Sequence, residues 1–300
     1  MRRALSAIAD ELRRLKASGV DSVNLSDEGM AALKKLAAQA SAARPEAAPP
    51  PAAAAARPAA KAAPAAPRPK AAAEPAAPPP PVVVLPEGDK QARWQALLGI
   101  VQEDPHCRSK LRPGKKVVLG VGSLDADIMF IGEAPGAEEE IQGEPFVGPA
   151  GQLLTRMITG MALSRSDVYI GNIMNWRPDL PAGPDGMQTG NRPPTEAEMA
   201  HCMPYLRAQV QVVGPKILVA LGASAAKALL GAGSFGALGE VRGRWHQFEG
   251  RPLMVTYHPS YILRNPTNRS KRLIWEDLLK VMETARLPVT PKQRGFFLSP

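Results

Sequence analysis

The 300-residue chain carries 37 Lys and Arg against 28 Asp and Glu, a formal net charge of +9, and its composition is uneven along its length. All 14 aromatic residues lie at or beyond Trp94 and all four histidines beyond residue 105, so the first ~90 residues cannot build an ordinary core and the chemistry belongs to roughly 210 C-terminal residues. Two cysteines exclude a disulfide scaffold and are too few for an all-cysteine zinc or iron–sulfur site, and no apolar run is long enough for a membrane span.

Asp10 and Glu11 interrupt what would be a signal-peptide core, so a soluble cytoplasmic protein is expected. Leu5, Ile8, Leu12 and Leu15 recur at helical spacing over residues 2–17, and Gly19 ends that helix. Ser26 caps a second helix through Met30, Leu33 and Leu36. Residues 1–40 thus read as an amphipathic leader, a candidate docking segment for a protein partner. Fourteen of the 32 prolines fall between Pro45 and Pro86 in an Ala-rich stretch, which makes 41–91 a disordered linker. The folded domain is expected over 92–288, with 289–300 as a tail. A sequence pI near 9.7 is compatible with a polyanionic partner such as nucleic acid but does not demonstrate one.

Beyond Trp94, short Val- and Ile-rich runs predict strands at Lys116–Gly120, Asp127–Gly132, Asp167–Asn172, Lys216–Gly222 and Pro252–Tyr257. Helical patterns fall between or after them at Gly151–Met161, Thr195–Val213, Ser224–Leu230 and Lys271–Arg286. The alternation implies an α/β fold with a mainly parallel sheet covered on both faces. Ligands in such sheets sit at the carboxyl ends of the strands, where the informative residues follow.

After the strand ending at Gly132 come Glu133-Ala134-Pro135-Gly136, a run of acids at Glu138–Glu140, and Gly143–Gly151 (GEPFVGPAG). Gly and Pro permit a tight backbone path against a ligand, whereas so many carboxylates suit developing positive charge or an oriented water better than a phosphate. Glu138 and Glu140 fit a solvated acidic helix start, which leaves Glu133 and Glu139. The next strand ends in Asn172, whose amide can donate and accept at once, matching a base edge with one carbonyl and one N–H. The last strand runs into His258-Pro259-Ser260-Tyr261-Ile262-Leu263-Arg264, placing an imidazole on the same rim.

In order and spacing, GEAPG, GxPFVGxAGxLL, the Asn after the next strand, Arg177-Pro178, NRxPxxxE at Asn191–Glu198 and HPSYxLR resemble the uracil-DNA glycosylase superfamily, most closely its family 4, over roughly residues 105–285. The resemblance implies a three-layer α/β/α sandwich around a sheet of four to five strands. It implies base flipping from single- or double-stranded uracil-containing DNA and hydrolysis of the N-glycosidic bond; a nucleoid-associated monomer is expected. On this reading Glu133, Glu139 and His258 are catalytic: His258 stabilises the uracil anion, and one of the two glutamates orients the water. Phe146 stacks on the base and Asn172 reads its edge, with Gly132, Ala134 and Asn191 completing the pocket. Ile262, with Leu263 as runner-up, is the apolar wedge that fills the vacated stack, and Ser260, Arg264, Arg269, Lys271 and Arg272 contact the DNA.

Family 4 members typically hold a 4Fe–4S cluster on four cysteines. Here the Cys-x-x-Cys pair has collapsed to Cys107, the third position is Trp176, and Cys202 matches the fourth. The cluster is therefore expected to be absent, with no other metal assigned, and Trp176 to fill part of its volume. No lysine occurs between Lys116 and Lys216, which argues for simple hydrolysis over Schiff-base chemistry. Ala134 stands where a covalently trapping relative has Gln, so trapping is not expected. The rival reading is a damage-binding module of the same fold with little turnover. A nucleoside hydrolase is disfavoured by the Tyr261–Leu263 segment, because a free nucleoside offers no stack to fill.

Overall fold

In the computed structural model the chain divides into two units, residues 1–69 and 70–300. The structure describes residues 79–180, 188 and 190–298, all within the second. The leader helices, most of the linker and most of the Asp179–Gly190 loop lie outside the described residues.

Six strands form one sheet: β1 (Val121–Gly122), β2 (Ile128–Gly132), β3 (Tyr169–Asn172), β4 (Ile217–Leu221), β5 (Trp245–Phe248) and β6 (Arg251–Thr256), in the order β1-β3-β2-β4-β6-β5. β3, β2, β4 and β6 run parallel, while β1 and β5 close the edges antiparallel. The parallel strands are apolar without interruption because both faces are covered. Ile128 and Phe130 point to one side, against α4 (Pro149–Gly160) and α9 (Asn268–Thr284). Met129 and Ile131 point to the other, against α5 (Glu196–Val213) and α6 (Ala223–Leu230). A third cluster joins α1 (Lys90–Glu103) and α2 (Pro105–Lys110) to α5 through Leu97, Cys107, Trp176, Cys202 and Tyr205.

The helix starts are set locally. Thr195 caps α5 in a reciprocal box with Glu198, and Gly214 ends that helix in the left-handed region. Two strand expectations are corrected. Val117–Leu119 is buried but belongs to no strand: the Val118 N–H bonds to the Asn175 carbonyl, and the edge strand begins at Val121. Trp245–Phe248 was not expected as a strand. It is a half-exposed edge whose hairpin turns on Glu249 and Gly250, both at positive φ, without the usual Asn-Gly signature. The sheet therefore exceeds the expected four to five strands.

The domain boundary expected at residue 92 falls inside α1. The expected tail carries α10 (Pro291–Arg294), docked by the Trp275 indole N–H on the Gln293 carbonyl and by the Gln293 amide on the Gly160 carbonyl. Among the described residues no helix is long and apolar enough to cross a membrane.

The chain moves from β2 to β3 on one side and returns past β2 to β4 on the other. The strand order reverses there, which opens a crevice at the carboxyl ends of β2 and β4.

Candidate active site

A cleft of about 630 Å³ lies in that crevice, a size that suits a small ligand. Glu133, Ala134, Glu139, Phe146, Asn172, Asn191, His258, Ser260 and Arg264 all line it, joined by Leu221–Ser224 from the β4 turn. Gly132 is not among the lining residues but packs behind two that are: a Cβ there would run into both the Asn172 amide oxygen and the Phe146 ring. We therefore expect Gly132→Ala to displace one or both groups and lower kcat/KM by about 10²-fold while circular dichroism remains native.

Phe146 and His258 face each other with ring centroids 5.6 Å apart and planes 30° from parallel. Phe146 adopts φ +56°, unusual for a bulky residue, so the surrounding structure must hold it there. The Arg165 guanidinium does so by donating to the Pro145 and Phe146 carbonyls at 3.0 and 3.1 Å. Gly151 lets α4 start directly against the Phe146 backbone, where a Cβ would collide. Asn172 ends β3 with its side chain only 5 % exposed, and its Oδ1 has no hydrogen-bond partner among the described residues. A buried, unpaired carbonyl oxygen is costly unless a ligand supplies the donor.

His258 occupies the N-cap of α8 (Pro259–Arg264), which explains the His-Pro-Ser order: Pro suits the first helical position and the cap accepts from the second. Its Nδ1 accepts the Ser260 N–H at 3.2 Å and lies 2.9 Å from the Ser260 hydroxyl, to which Arg264 donates. With Nδ1 an acceptor, the ring proton sits on Nε2. Burial, reinforced by the Arg264 charge, pushes the imidazole down to about 4, so it is neutral at physiological pH. Gly222, at φ +94°, brings the end of β4 against the His258 Cβ. Thr256 donates to the buried Asp277, tying β6 to α9 just before the histidine.

The two candidate glutamates differ in their surroundings. Glu139 accepts the amides of Gly136, Val147 and Gly148 at 3.0–3.1 Å, stapling the two Gly-rich loops together. Glu133 is partly buried, and desolvation pushes its carboxyl up, with the Ser224 hydroxyl partly opposing this. Glu140 is corrected: it is buried, not solvated. Both its carboxylate oxygens accept from Arg112 Nη2, and Oε1 also from Arg177, whose Nε donates to Asn191 at the cleft rim. Removing one member of a buried ion cluster strands the rest. Glu140→Ala is expected to cost about 3–5 kcal/mol, lowering the thermal midpoint by about 10 °C in a melting scan.

The remaining DNA-contact expectations divide. Ile262 is corrected as the wedge: it is 6 % exposed and packs in the core against the α4 and α9 residues, while Leu263 is 46 % exposed beside it. Arg269 is exposed, and Lys271 lies over the Phe297 ring. Arg272 is engaged by Glu276 and the carbonyls of Arg294 and Phe296, so it holds the C-terminal segment. Ser260 is first of all the partner of His258. Sequence reading missed Arg165, Gly222, Ser224 and Asp277. Of these only Gly222 carried a signal, as a glycine directly after a buried strand.

The fit of a four-thiolate cluster can be tested on the third core cluster. Cys107 and Cys202 are both buried and free, and the sequence holds no further cysteine. Trp176 is fully buried there, its ring edge-on to His106 and His201 at 5.6 and 6.1 Å. Two thiols and an indole do not fit a group that requires four thiolates.

The family profile of the Uracil DNA glycosylase superfamily matches residues 119–279. The chain belongs to the uracil-DNA glycosylase superfamily. It is 41 % identical over 167 residues to a type-4 uracil-DNA glycosylase of Thermotoga maritima, covering 55 % of this chain and 80 % of that one. It is 40 % identical over 184 residues to one of Saccharolobus solfataricus, covering 59 % and 80 %, and 37 % identical over 185 residues to one of Archaeoglobus fulgidus, covering 59 % and 88 %. Every strand-end group of this glycosylase domain that lines the cleft, from Glu133 to His258, lies inside the matched span.

Proposed function

We propose that the chain is a monofunctional uracil-DNA glycosylase: it takes a uracil flipped out of DNA and hydrolyses its N-glycosidic bond, leaving an abasic site. The observation that carries this reading is the buried, unpartnered Oδ1 of Asn172 beside the facing rings of Phe146 and His258. A uracil stacked on Phe146 offers N3–H to that oxygen and O4 to the Asn172 amide N–H. Cytosine presents an unprotonated N3 and an amino group instead, so both contacts fail.

As the C1′–N1 bond breaks, the electron pair moves onto the base and charge gathers at O2. His258 Nε2–H is the neutral donor for that oxygen, and neutrality keeps it from having to give up a proton in the step. Glu133 is the carboxylate we assign to the water: burial raises its carboxyl, while Glu139 is occupied by three backbone amides. It accepts a proton as the water oxygen bonds to C1′. Glu133→Gln is expected to lower kcat by about 10²–10⁴-fold with KM little changed, measured by single-turnover uracil release.

None of the described residues lining the cleft is a lysine, which supports hydrolysis without strand cleavage. The absence of a 4Fe–4S cluster is likewise part of this proposal, supported by the thiol count. Leu263 is the group we assign to the vacated stack, and Arg264 and Arg269 to the phosphates. The test is uracil release from single- and double-stranded oligonucleotides. Tight binding of uracil-DNA without product would select the damage-binding reading instead, and no binding at all would end both.

A further inference from the structure

Outside the cleft, Asp104 caps α2, Cys107 lies one turn into that helix and His201 faces them from α5. One donor atom from each, a carboxylate oxygen, the sulfur and a ring nitrogen, lie within 4.8 Å of one another. The set mixes oxygen, sulfur and nitrogen, which is the ligand preference of zinc and its borderline neighbours. Zinc bond lengths of about 2.0–2.3 Å put the donors of a tetrahedral site about 3.3–3.8 Å apart; His201 Nε2 and Asp104 Oδ1 already stand at 3.4 Å, and the widest pair needs to close by at most about 1 Å.

The imidazole of His201 is 3 % exposed and poorly satisfied: Nδ1 has no hydrogen-bond partner among the described residues, and Nε2, the nitrogen a metal shared with Asp104 would take, reaches Asp104 Oδ1 only at 3.4 Å. The Tyr205 hydroxyl donates to Asp104 Oδ2 at 2.7 Å and the Cys107 amide to Oδ1 at 2.6 Å. Outer contacts of this kind orient a metal-binding carboxylate. Cys202, adjacent to His201 in sequence, is buried and free in the same core cluster.

We propose that Asp104, Cys107 and His201 form a mononuclear divalent-metal site, zinc above all, in the region where the family resemblance implies an iron–sulfur cluster that this chain's two thiols do not fit. The metal closes a structural bridge between α2 and α5. It binds the Cys107 sulfur as thiolate, and the displaced thiol proton leaves to solvent. None of the three residues lines the cleft, so the site stands or falls apart from the glycosylase reading.

The experiment uses the full chain, grown with zinc and iron and purified without chelator, with metal content measured by inductively coupled plasma mass spectrometry. About one zinc per chain is expected, falling about tenfold or more in Cys107→Ser and His201→Gln. Because those variants can unfold, chelator-stripped wild type is also titrated with cobalt and with zinc. Cobalt should develop a thiolate charge-transfer band, and zinc held at about 100 times its Kd should raise the thermal midpoint by roughly 5–10 °C. Four irons with sulfide per chain would overturn the proposal. So would metal retained in full by both variants, or stripped protein showing neither the cobalt band nor the zinc-induced shift.

Discussion

Replacing His258 by alanine is expected to lower kcat for uracil release by about 10²–10³-fold, because on the proposed mechanism it deletes the neutral donor to O2, where charge develops on the base. Single-turnover kinetics on a uracil-containing strand would measure this. The partner groups predict the rest. Ser260→Ala leaves the backbone N–H on Nδ1 and removes only the hydroxyl relay to Arg264, so its loss should be smaller. The imidazole's depressed pKa of about 4 makes the wild-type rate insensitive to this group between pH 6 and 8. Protonation below about pH 4 turns Nδ1 from acceptor to donor against the Ser260 amide. The folded-state value lies below the ordinary 6.5, so the unfolded chain binds the proton more readily, and this histidine's share of stability is lost as pH falls from about 6.5 towards 4. A wild-type rate that rose on acidification through pH 5 would contradict a neutral donor.

Asn172→Ala is expected to be as damaging to the rate, about 10²–10³-fold, and more damaging to selectivity. On the proposed reading the amide answers both N3–H and O4, so its removal leaves two polar edges of the base desolvated and unpaired in the pocket. Discrimination against cytosine should collapse with it, since that discrimination rests on mismatched donors at the same two atoms. Parallel assays of base release from uracil- and cytosine-containing oligonucleotides would read both effects. Full activity in the alanine variant, or unchanged preference, would remove the base-reading role assigned to β3.

The parts of the site that were legible in the sequence are those that immediate neighbours in the chain determine. Phe146, Asn172 and His258 follow buried strands or Gly-rich turns, and strand ends in a parallel sheet converge on one edge. Glu133 and Glu139 could not be separated that way. What distinguishes them is whether the amides of Val147 and Gly148 fold back onto one carboxylate, a contact made between loops. Glu140 looked like a solvated helix-start acid because its partners, Arg112 and Arg177, are 28 and 37 residues away. Ile262 and Leu263 are adjacent and equally apolar, so periodicity over a six-residue helix does not say which one faces the core. Arg165 had no local signal at all, since its work is to hold the backbone of residues some twenty positions earlier.

The sequence by itself determined the layered α/β architecture, the four parallel strands with their covering helices, the rim whose candidate groups line the cleft, and the shortage of thiols for a cluster. These follow from hydrophobic period, turn residues and counting, each of which is written within a short window of chain. Only the tertiary structure decided which carboxylate is stapled by backbone amides, which apolar residue of α8 is exposed, that the edges are closed by β1 and β5, and that Asp104, Cys107 and His201 meet. Each of those depends on contacts between segments distant in sequence, where burial and partner choice are set by packing and local propensity carries no record of them.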